Sequence, residues 1–349
     1  SKADPEPETP VVETPIEETP IVEEPIEPQQ PAGVAVRLTD DAVLSPILFF
    51  QGNGISYFDI DGHLYQTELS VNNGTALLSN KVERSIELKS KISKILWPIA
   101  GNSFIAEFNS SSKPSWSYFD TTKGAYYDIP SQVYSLDWMP AGDKIIYNWV
   151  GNDGKASLQF ANPDTSGYQV ITDLFTPDNI VKVSPDGKKV LLYRTQTSDV
   201  TKNVINMVGT DGKNFTALVK DGYNTGALWS PDSTKFLFNR RDSGSQKLNL
   251  WVADVASGTV KDLGLAADVK KAIWSKNSQL AFVGVPKTAA AGNSLTQDNL
   301  YKVTVTSDEK QQYDPGIAVD IQDLFLSTDE SVLFFRNAQD SSLYYISLN

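Results

Sequence analysis

The sequence has no cysteine, a single histidine and only two methionines among its 349 residues. The lack of cysteine excludes disulfides, thiolate chemistry and cysteine-ligated metal sites. With His63 as the only imidazole, the usual histidine-rich zinc sites are excluded as well. A serine-hydrolase triad would have to use His63, yet no Gly-x-Ser-x-Gly motif supplies a nucleophile. The sequence therefore predicts no catalytic residue, no metal and no cofactor.

One short motif carries possible metal ligands. Asp59, Asp61 and Gly62 resemble the start of a calcium loop, but the third ligand position and the closing glutamate of the EF-hand spacing are missing. Asp-Gly also forms hairpins without any ion. We therefore interpret His63, which follows directly, as part of a solvated hairpin. No glycine-rich phosphate-binding motif occurs, so nucleotide binding has no support.

Positive charge and long apolar runs are also scarce. Lys and Arg number 30 against 43 Asp and Glu, which gives a net charge of −13. A nucleic-acid partner is not expected, because such a binder needs a basic face to neutralise phosphates. No segment approaches the roughly 18 consecutive apolar residues of a membrane-spanning helix, and no signal peptide opens the sequence.

Much of the negative charge lies in residues 1–32, which hold nine Asp and Glu against one Lys. Pro10, Pro15, Pro20 and Pro25 recur there at five-residue steps. Proline and mutually repelling glutamates favour an extended, disordered stalk. Such a segment is either a spacer that holds a domain away from a membrane or an ordinary tail. With the spacer interpretation we expect a membrane anchor or signal upstream, and an extracytoplasmic, membrane-tethered protein.

A repeat dominates the remainder of the chain. Seven times an apolar run ends in a similar turn, and the residues before the turns are 41 to 53 positions apart. Hairpin dipeptides such as Asn-Gly, Asp-Gly and Ser-Gly separate the strands within each repeat. A period in the forties built on strands is typical of propeller blades. The sequence predicts an all-β fold over 33–349, a seven-bladed β-propeller of four-stranded antiparallel blades. The repeat markers are Leu44, Trp97, Trp138, Val183, Trp229, Trp274 and Leu326.

The seventh repeat contains only three predicted strands, near 320–326, 332–336 and 343–348. A fourth candidate, 34–38, lies at the other end of the predicted propeller. Pairing 34–38 with 343–348 would close the ring and hide two strand edges that would otherwise promote aggregation. We therefore expect the N-terminal strand to complete the last blade.

The turn and strand motifs are similar to a known family of repeats. Ser-Pro-Asp-Gly at 184–187 is followed by Val-Leu-Leu-Tyr at 190–193, and Leu-Trp-Val-Ala-Asp stands at 250–254. This pattern resembles the TolB-like (WD40-like, PD40-type) propeller repeats. The resemblance implies a β-propeller and often an extracytoplasmic location. It implies no single function, because such repeats occur in binding scaffolds, translocation factors and the gating halves of peptidases.

Four tryptophans occupy the marker position, and they could be a sugar-stacking platform or a packing element. Because Leu44, Val183 and Leu326 replace them in other repeats, we favour packing between blades. Trp149, at the end of a second strand, is the tryptophan that we expect to be most exposed.

The predicted function is a non-catalytic binding or scaffold protein, monomeric, that recognises a protein or glycan through one rim. Candidate binding residues are Trp149, Arg240, Arg241 and Asn293, the last in the longest loop insertion, 286–298. A propeller-type glycan hydrolase or lyase with paired carboxylates near the central mouth is the alternative, and an inert spacer in a surface assembly is a third. Carboxylates available for the enzyme are Asp137, Asp173, Asp178, Asp320 and Asp323.

Overall fold

The computed structural model describes residues 32–84, 86, 92–108, 114–194, 204–220, 226–241, 248–288 and 294–349. Over these ranges the chain forms seven antiparallel sheets of four strands each, which are the blades of the predicted seven-bladed propeller. Most of the predicted stalk, 1–31, lies outside the described residues. Helical structure in the described part is limited to two 3-10 turns, Phe50–Gly52 and Val269–Lys271. No described helix is long and apolar enough to cross a membrane.

Blades 1 to 6 each use four consecutive strands, which we call a to d in chain order. In blades 1 to 3 these are β2 (Leu44–Phe49), β3 (Gly54–Phe58), β4 (Leu64–Asn72), β5 (Thr75–Arg84), β6 (Ile92–Leu96), β7 (Phe104–Phe108), β8 (Ser115–Asp120), β9 (Ala125–Ile129), β10 (Val133–Trp138), β11 (Ile145–Val150), β12 (Ala156–Ala161) and β13 (Gln169–Leu174). In blades 4 to 6 they are β14 (Ile180–Val183), β15 (Lys189–Tyr193), β16 (Ile205–Gly209), β17 (Thr216–Val219), β18 (Ala227–Trp229), β19 (Lys235–Arg241), β20 (Leu248–Asp254), β21 (Val260–Leu265), β22 (Ala272–Trp274), β23 (Leu280–Pro286), β24 (Asp298–Thr304) and β25 (Lys310–Tyr313). Blade 7 contains β26 (Ile321–Leu326), β27 (Val332–Asn337), β28 (Leu343–Ser347) and, from the N-terminal end, β1 (Ala35–Arg37).

The alternating strand direction gives the ring two different faces. The a–b and c–d turns, such as 184–187 and 255–259, lie on one side, which we call the turn face. The b–c hairpins and the d–a connections, such as 59–63 and 266–271, lie on the other side, which we call the rim face. Loops of a propeller's rim are where binding residues vary most freely, because the blades position them rigidly.

The apolar core lies between adjacent blades. Leu237 and Leu250 of blade 5 pack with Ala281 and Val283 of blade 6. Because each blade is covered on both sides by its neighbours, its second strand is mostly apolar and does not alternate between apolar and polar residues. An example is the run Val190–Tyr193, in which every side chain is buried.

The tryptophans at the marker position act as wedges between blades, as predicted. Each indole N–H donates to a backbone carbonyl on the inner strand of the preceding blade. These bonds are Trp97 to Ser45 (2.8 Å), Trp138 to Leu96 (2.9 Å), Trp229 to Lys182 (3.0 Å) and Trp274 to Leu228 (3.2 Å). We call this the wedge position.

The repeated Ser-Pro-Asp turns also connect neighbouring blades. Ser184 Oγ donates to Asp186 Oδ1 at 2.5 Å within the turn of blade 4. The backbone N–H of Asp186 donates to Ser233 Oγ of blade 5 at 2.9 Å. Asp232 repeats this bond to Ser278 of blade 6 at 3.0 Å. The turns thus form a chain of hydrogen bonds along the turn face, which explains why serine and aspartate recur there.

These turns predict a loss of stability in acid. Partial burial raises the pKa of Asp232, but bonds from Ser230 and Thr234 outweigh it and hold the pKa below the ordinary 3.8. The resulting stabilisation is complete above the ordinary pKa and is lost as the pH falls through the lowered value. We expect Asp232→Asn to lower the free energy of unfolding at pH 7, and this difference from the wild type to shrink by pH 3. Urea unfolding across that pH range measures it.

Asp143, an exposed aspartate in the corresponding turn of blade 3, is the matched control. Asp143→Asn should lower the free energy of unfolding at pH 7 by less than Asp232→Asn does, because the side chain of Asp143 is exposed. An equal effect of the two substitutions at every pH would contradict the role of the Asp232 carboxylate.

The ring closes as predicted. β1 pairs antiparallel with β28, with Ala35 opposite Ile346 and Arg37 opposite Tyr344. The observed β1 is shorter than the predicted strand 34–38, because the chain turns after Arg37. Beyond the turn a side chain makes the contact, since Thr39 Oγ1 accepts the N–H of Leu343 at 3.0 Å.

Candidate functional site

Charged side chains from several inner strands surround the central channel. Lys94, Asp137, Lys182 and Asp323 lie on the a strands of blades 2, 3, 4 and 7. Glu107 lies directly opposite Lys94 on β7. Lys94 interacts electrostatically with the other four groups although they come from four different blades. Only a shared central space brings such distant blades together, so we call these five residues the channel cluster.

Two of the carboxylates in the channel cluster are paired. Asp137 Oδ2 lies 3.8 Å from Lys182 Nζ and accepts the backbone N–H of Val183 at 3.0 Å. Asp323 Oδ2 accepts a bond from Arg336 Nε at 2.7 Å. Asp323 has a φ of 48° at a β-bulge in β26. Bulges turn a side chain away from its regular direction, which explains how Asp323 reaches its partner.

Lys94 and Glu107 are both shifted toward their neutral forms. The channel walls surround the amine of Lys94 and lower its pKa, and the charge of Lys182 lowers it further. Burial raises the pKa of the Glu107 carboxyl, while Lys94, Lys182 and Lys270 partly oppose that rise. Lys182 differs, because the charge of Asp137 raises its pKa. The pKa values of Lys94 and Glu107 thus move toward each other, while that of Lys182 moves further above its ordinary value.

The carboxylates proposed for an enzyme are mostly engaged by cations. Among the described residues, four of the five predicted acids form ion pairs, at 2.6 to 3.8 Å. The fifth, Asp173, is exposed on the outer strand β13. The pairs are Asp137 with Lys182, Asp178 with Arg194, Asp320 with Lys271 and Asp323 with Arg336.

Three of the four predicted binding residues are described, and they lie at the rim face in two separate blades. Trp149 ends the b strand of blade 3, where it is half-buried and its ring lies 6.5 Å from that of Tyr147. Arg240 and Arg241 end the b strand of blade 5. Asn293 lies outside the described residues. Arg240 and Arg241 are therefore neighbours on one strand, and a whole blade separates them from Trp149.

Arg240 lines a groove between blades 4 and 5. Its guanidinium lies 4.6 Å from the centre of the Trp251 ring, a cation–π contact. The groove has a volume of about 470 Å³ and is also lined by Lys220, Val255 and Val260. It combines two cations with a lining of both polar and apolar residues.

The blade 1 hairpin holds the acidic motif that resembles a calcium loop. One ligand atom from each of Asp59, Asp61 and His63 lies within 4.8 Å of the others. Asp59 Oδ1 accepts the N–H groups of Asp61 (2.9 Å) and His63 (2.8 Å), and its Oδ2 lies 3.0 Å from His63 Nδ1. The bond to Asp59 raises the pKa of His63, whose side chain is exposed. These contacts are those of the predicted solvated hairpin.

Lys94, Glu107 and Lys182 were missed by motif reasoning, although the repeat contains a signal for two of the channel positions. The residue before the wedge position is apolar in blades 2, 5, 6 and 7 and charged in blades 3 and 4. A charge at a position that the repeat otherwise makes apolar indicates a different environment. The residues are Leu96, Leu228, Ile273 and Phe325 against Asp137 and Lys182.

No protein-family model matches the sequence, and no curated protein matches it either. Similar solved structures include an oligogalacturonate lyase from Vibrio parahaemolyticus, with a TM-score of 0.63 and 12% identity over 90% of this chain and 93% of that one. An oligogalacturonate lyase in complex with manganese has a TM-score of 0.64 and 13% identity over 91% and 94%. The Cps50 propeller domain of Myceliophteria thermophila has a TM-score of 0.61 and 10% identity over 90% of this chain and 100% of that one. These likenesses confirm a propeller fold, and the TolB-like repeat family stays a prediction.

Proposed function

We propose that this chain is a non-catalytic binding or scaffold protein that recognises a protein or glycan through the rim face and the channel mouth. One observation carries the proposal: Asp137, Asp178, Asp320 and Asp323 are each engaged by a cation of the same chain. The composition of 1–32 and the resemblance to TolB-like repeats support display outside the cytoplasm. In this proposal the chain acts as a monomer carried on its acidic stalk.

Cation pairing argues against a glycosidase mechanism. A glycosidase needs two carboxyl groups about 5 to 9.5 Å apart, one of them protonated to act as the acid. A neighbouring cation favours the ionised form of a carboxyl group instead. In this proposal Lys94 and Lys182 add positive charge to the channel, which concentrates the field toward negative groups of a partner. The arrangement suits recognition of charge better than acid–base chemistry.

A glycan and protein binding screen with the whole chain tests this proposal. For a partner found in the screen, we expect the double substitution Lys94→Ala with Lys182→Ala to lower affinity by about tenfold to a hundredfold. Lys188→Ala, an exposed lysine on the turn face, is the matched control and should leave affinity unchanged. An equal loss from Lys188→Ala would place recognition elsewhere and contradict the proposal.

The enzyme alternative rests on the facing pair of Lys94 and Glu107. A carboxyl with a raised pKa can act as a general acid at neutral pH, and two of the similar structures are oligogalacturonate lyases. Incubation of the chain with oligogalacturonate, with and without manganese, and detection of unsaturated products tests this alternative. Turnover that Glu107→Gln abolishes would replace the binding proposal with the enzyme.

A further inference from the structure

A buried amine and two buried carboxylates meet where blade 6 joins blade 7. Lys271 precedes β22, Asp298 begins β24 and Asp320 precedes β26. Their exposed fractions are only 7%, 0% and 4%. Lys271 Nζ lies 2.6 Å from Asp298 Oδ2 and 2.7 Å from Asp320 Oδ1. Thr296 Oγ1 is a third neighbour of Lys271 Nζ, at 2.6 Å.

At one position of the second strand, blade 6 has a glycine where two other blades have an asparagine. Ten positions after the wedge position, blades 3 and 5 have Asn148 and Asn239. Asn239 accepts the N–H of Val269 at 2.9 Å and so holds the next d–a connection. Blade 6 has Gly284 there, and Asp298 Oδ2 lies 3.4 Å from where its Cβ would stand. The side chain of Ile321 and the carboxylate of Asp298 thus lie where a side chain at position 284 would stand.

Asp298 performs the same task as the missing asparagine. Its Oδ2 accepts the N–H of Ile321 at 2.8 Å, and its Oδ1 accepts the hydroxyl of Thr296 at 2.7 Å. Val319 and Ile321 are fully buried and make the surroundings apolar. Charged groups are costly in such surroundings unless each of them has a close partner.

We propose that Lys271 and Asp298 condense into an intramolecular isopeptide bond, assisted by Asp320 and Thr296. The three contacts of Lys271 Nζ hold it beside the Asp298 carboxyl, and the donors on both carboxyl oxygens activate that group for attack. The cross-link would join the start of blade 6 to the end of its 286–298 insertion in a chain that has no cysteine for a disulfide.

The reaction begins with a proton relay that the contacts already form. Lys271 Nζ donates to Thr296 Oγ1, which donates to Asp298 Oδ1. Transfer along this path leaves a neutral amine and a neutral acid. The amine lone pair then attacks Asp298 Cγ, and the N–H of Ile321 stabilises the negative charge that develops on Oδ2.

Asp320 Oδ1 accepts the second proton from the attacking nitrogen. That proton passes to the Oδ1 hydroxyl of Asp298, the C–O bond breaks and water leaves. One ammonium and one carboxylate become one amide and one water, so no oxidant, reductant or external reagent is needed.

The intact mass of the purified full chain under denaturing conditions tests the proposal. We expect the mass of the sequence less one water, and a branched peptide that joins Lys271 to Asp298 after proteolysis. Lys271→Arg and Asp298→Ala should restore the full sequence mass. Asp320→Asn should leave both bonding partners in place but lower the cross-linked fraction by about tenfold or more, because a proton acceptor contributes a rate factor of at least about 100.

Loss of water at an Asp-Gly site, such as 186–187, would give the same mass. Hydroxylamine distinguishes the two, because it cleaves a succinimide and leaves the amide of a lysine intact. A wild-type mass equal to that of the sequence would overturn the proposal and leave an ordinary buried ion pair. A water loss that persists in Lys271→Arg would overturn it as well.

Discussion

Deletion of residues 33–38 is expected to lower the free energy of unfolding by about 5 kcal/mol, because it removes several backbone hydrogen bonds together with apolar burial. Those bonds include Gly33 N–H to Ser347 (2.9 Å) and Leu38 N–H to Leu343 (2.8 Å). Val36 and Leu38 also pack against the apolar core between blades 7 and 1. Loss of β1 leaves blade 7 with three strands and opens the ring. Chemical denaturation of the truncated and complete chains measures the difference.

The exposed edge of β28 adds a second consequence. An unpaired strand edge pairs readily with another chain, so we expect the truncated protein to associate as its concentration rises, which light scattering detects. A deletion of 1–31 is the matched control, because it shortens the same end but leaves β1 in place. Equal stability of the two truncated chains would show that strand β1 does not hold the ring.

Replacement of a wedge tryptophan is also expected to cause a large loss in the free energy of unfolding. Trp138 is 5% exposed, packs with Ile145 and Tyr147, and donates its indole N–H to Leu96 of the preceding blade. We expect Trp138→Ala to lower the free energy of unfolding by about 3 to 5 kcal/mol, because it removes a large buried ring and leaves a cavity between blades. Denaturant unfolding, with circular dichroism as the signal, checks this value.

Two comparisons separate the contributions. Trp138→Phe keeps an aromatic ring but loses the bond to the carbonyl of Leu96, so we expect a loss of about 1 to 3 kcal/mol. Trp149→Ala removes a half-buried tryptophan at a strand end, so it should cost less than Trp138→Ala. Similar losses from Trp138→Ala and Trp149→Ala would contradict the wedge role.

Blade 5 shows how closely local signals follow the final strands. The sequence predicts strands over 225–229, 235–239, 248–254 and 259–263, and the structure has Ala227–Trp229, Lys235–Arg241, Leu248–Asp254 and Val260–Leu265. Glycine, proline and asparagine limit the turns, so the strand cores were predictable. The strand ends shifted by up to two residues, because pairing with neighbouring strands decides where a ladder stops.

The site was predicted less well than the fold. Trp149, Arg240 and Arg241 were selected from their loop positions, and their role in binding stays a prediction. Asp137 and Asp323 are two of the five carboxylates considered for the enzyme alternative, and both belong to the channel cluster. Their cationic partners could not be predicted. Lys182 lies in the repeat after that of Asp137, and Arg336 lies on the strand after that of Asp323.

The sequence by itself determined a seven-bladed ring closed by its N-terminal strand, because strand periodicity, turn residues and a missing seventh-blade strand are local or countable signals. Only the tertiary structure decided which charges meet. Lys94 interacts electrostatically with Asp323 across the channel, and Lys271 contacts both Asp298 and Asp320. The physical reason is that contacts between blades depend on the closed ring and on the space each side chain leaves. Neither the closed ring nor the space around a side chain can be derived from the spacing of residues along one strand.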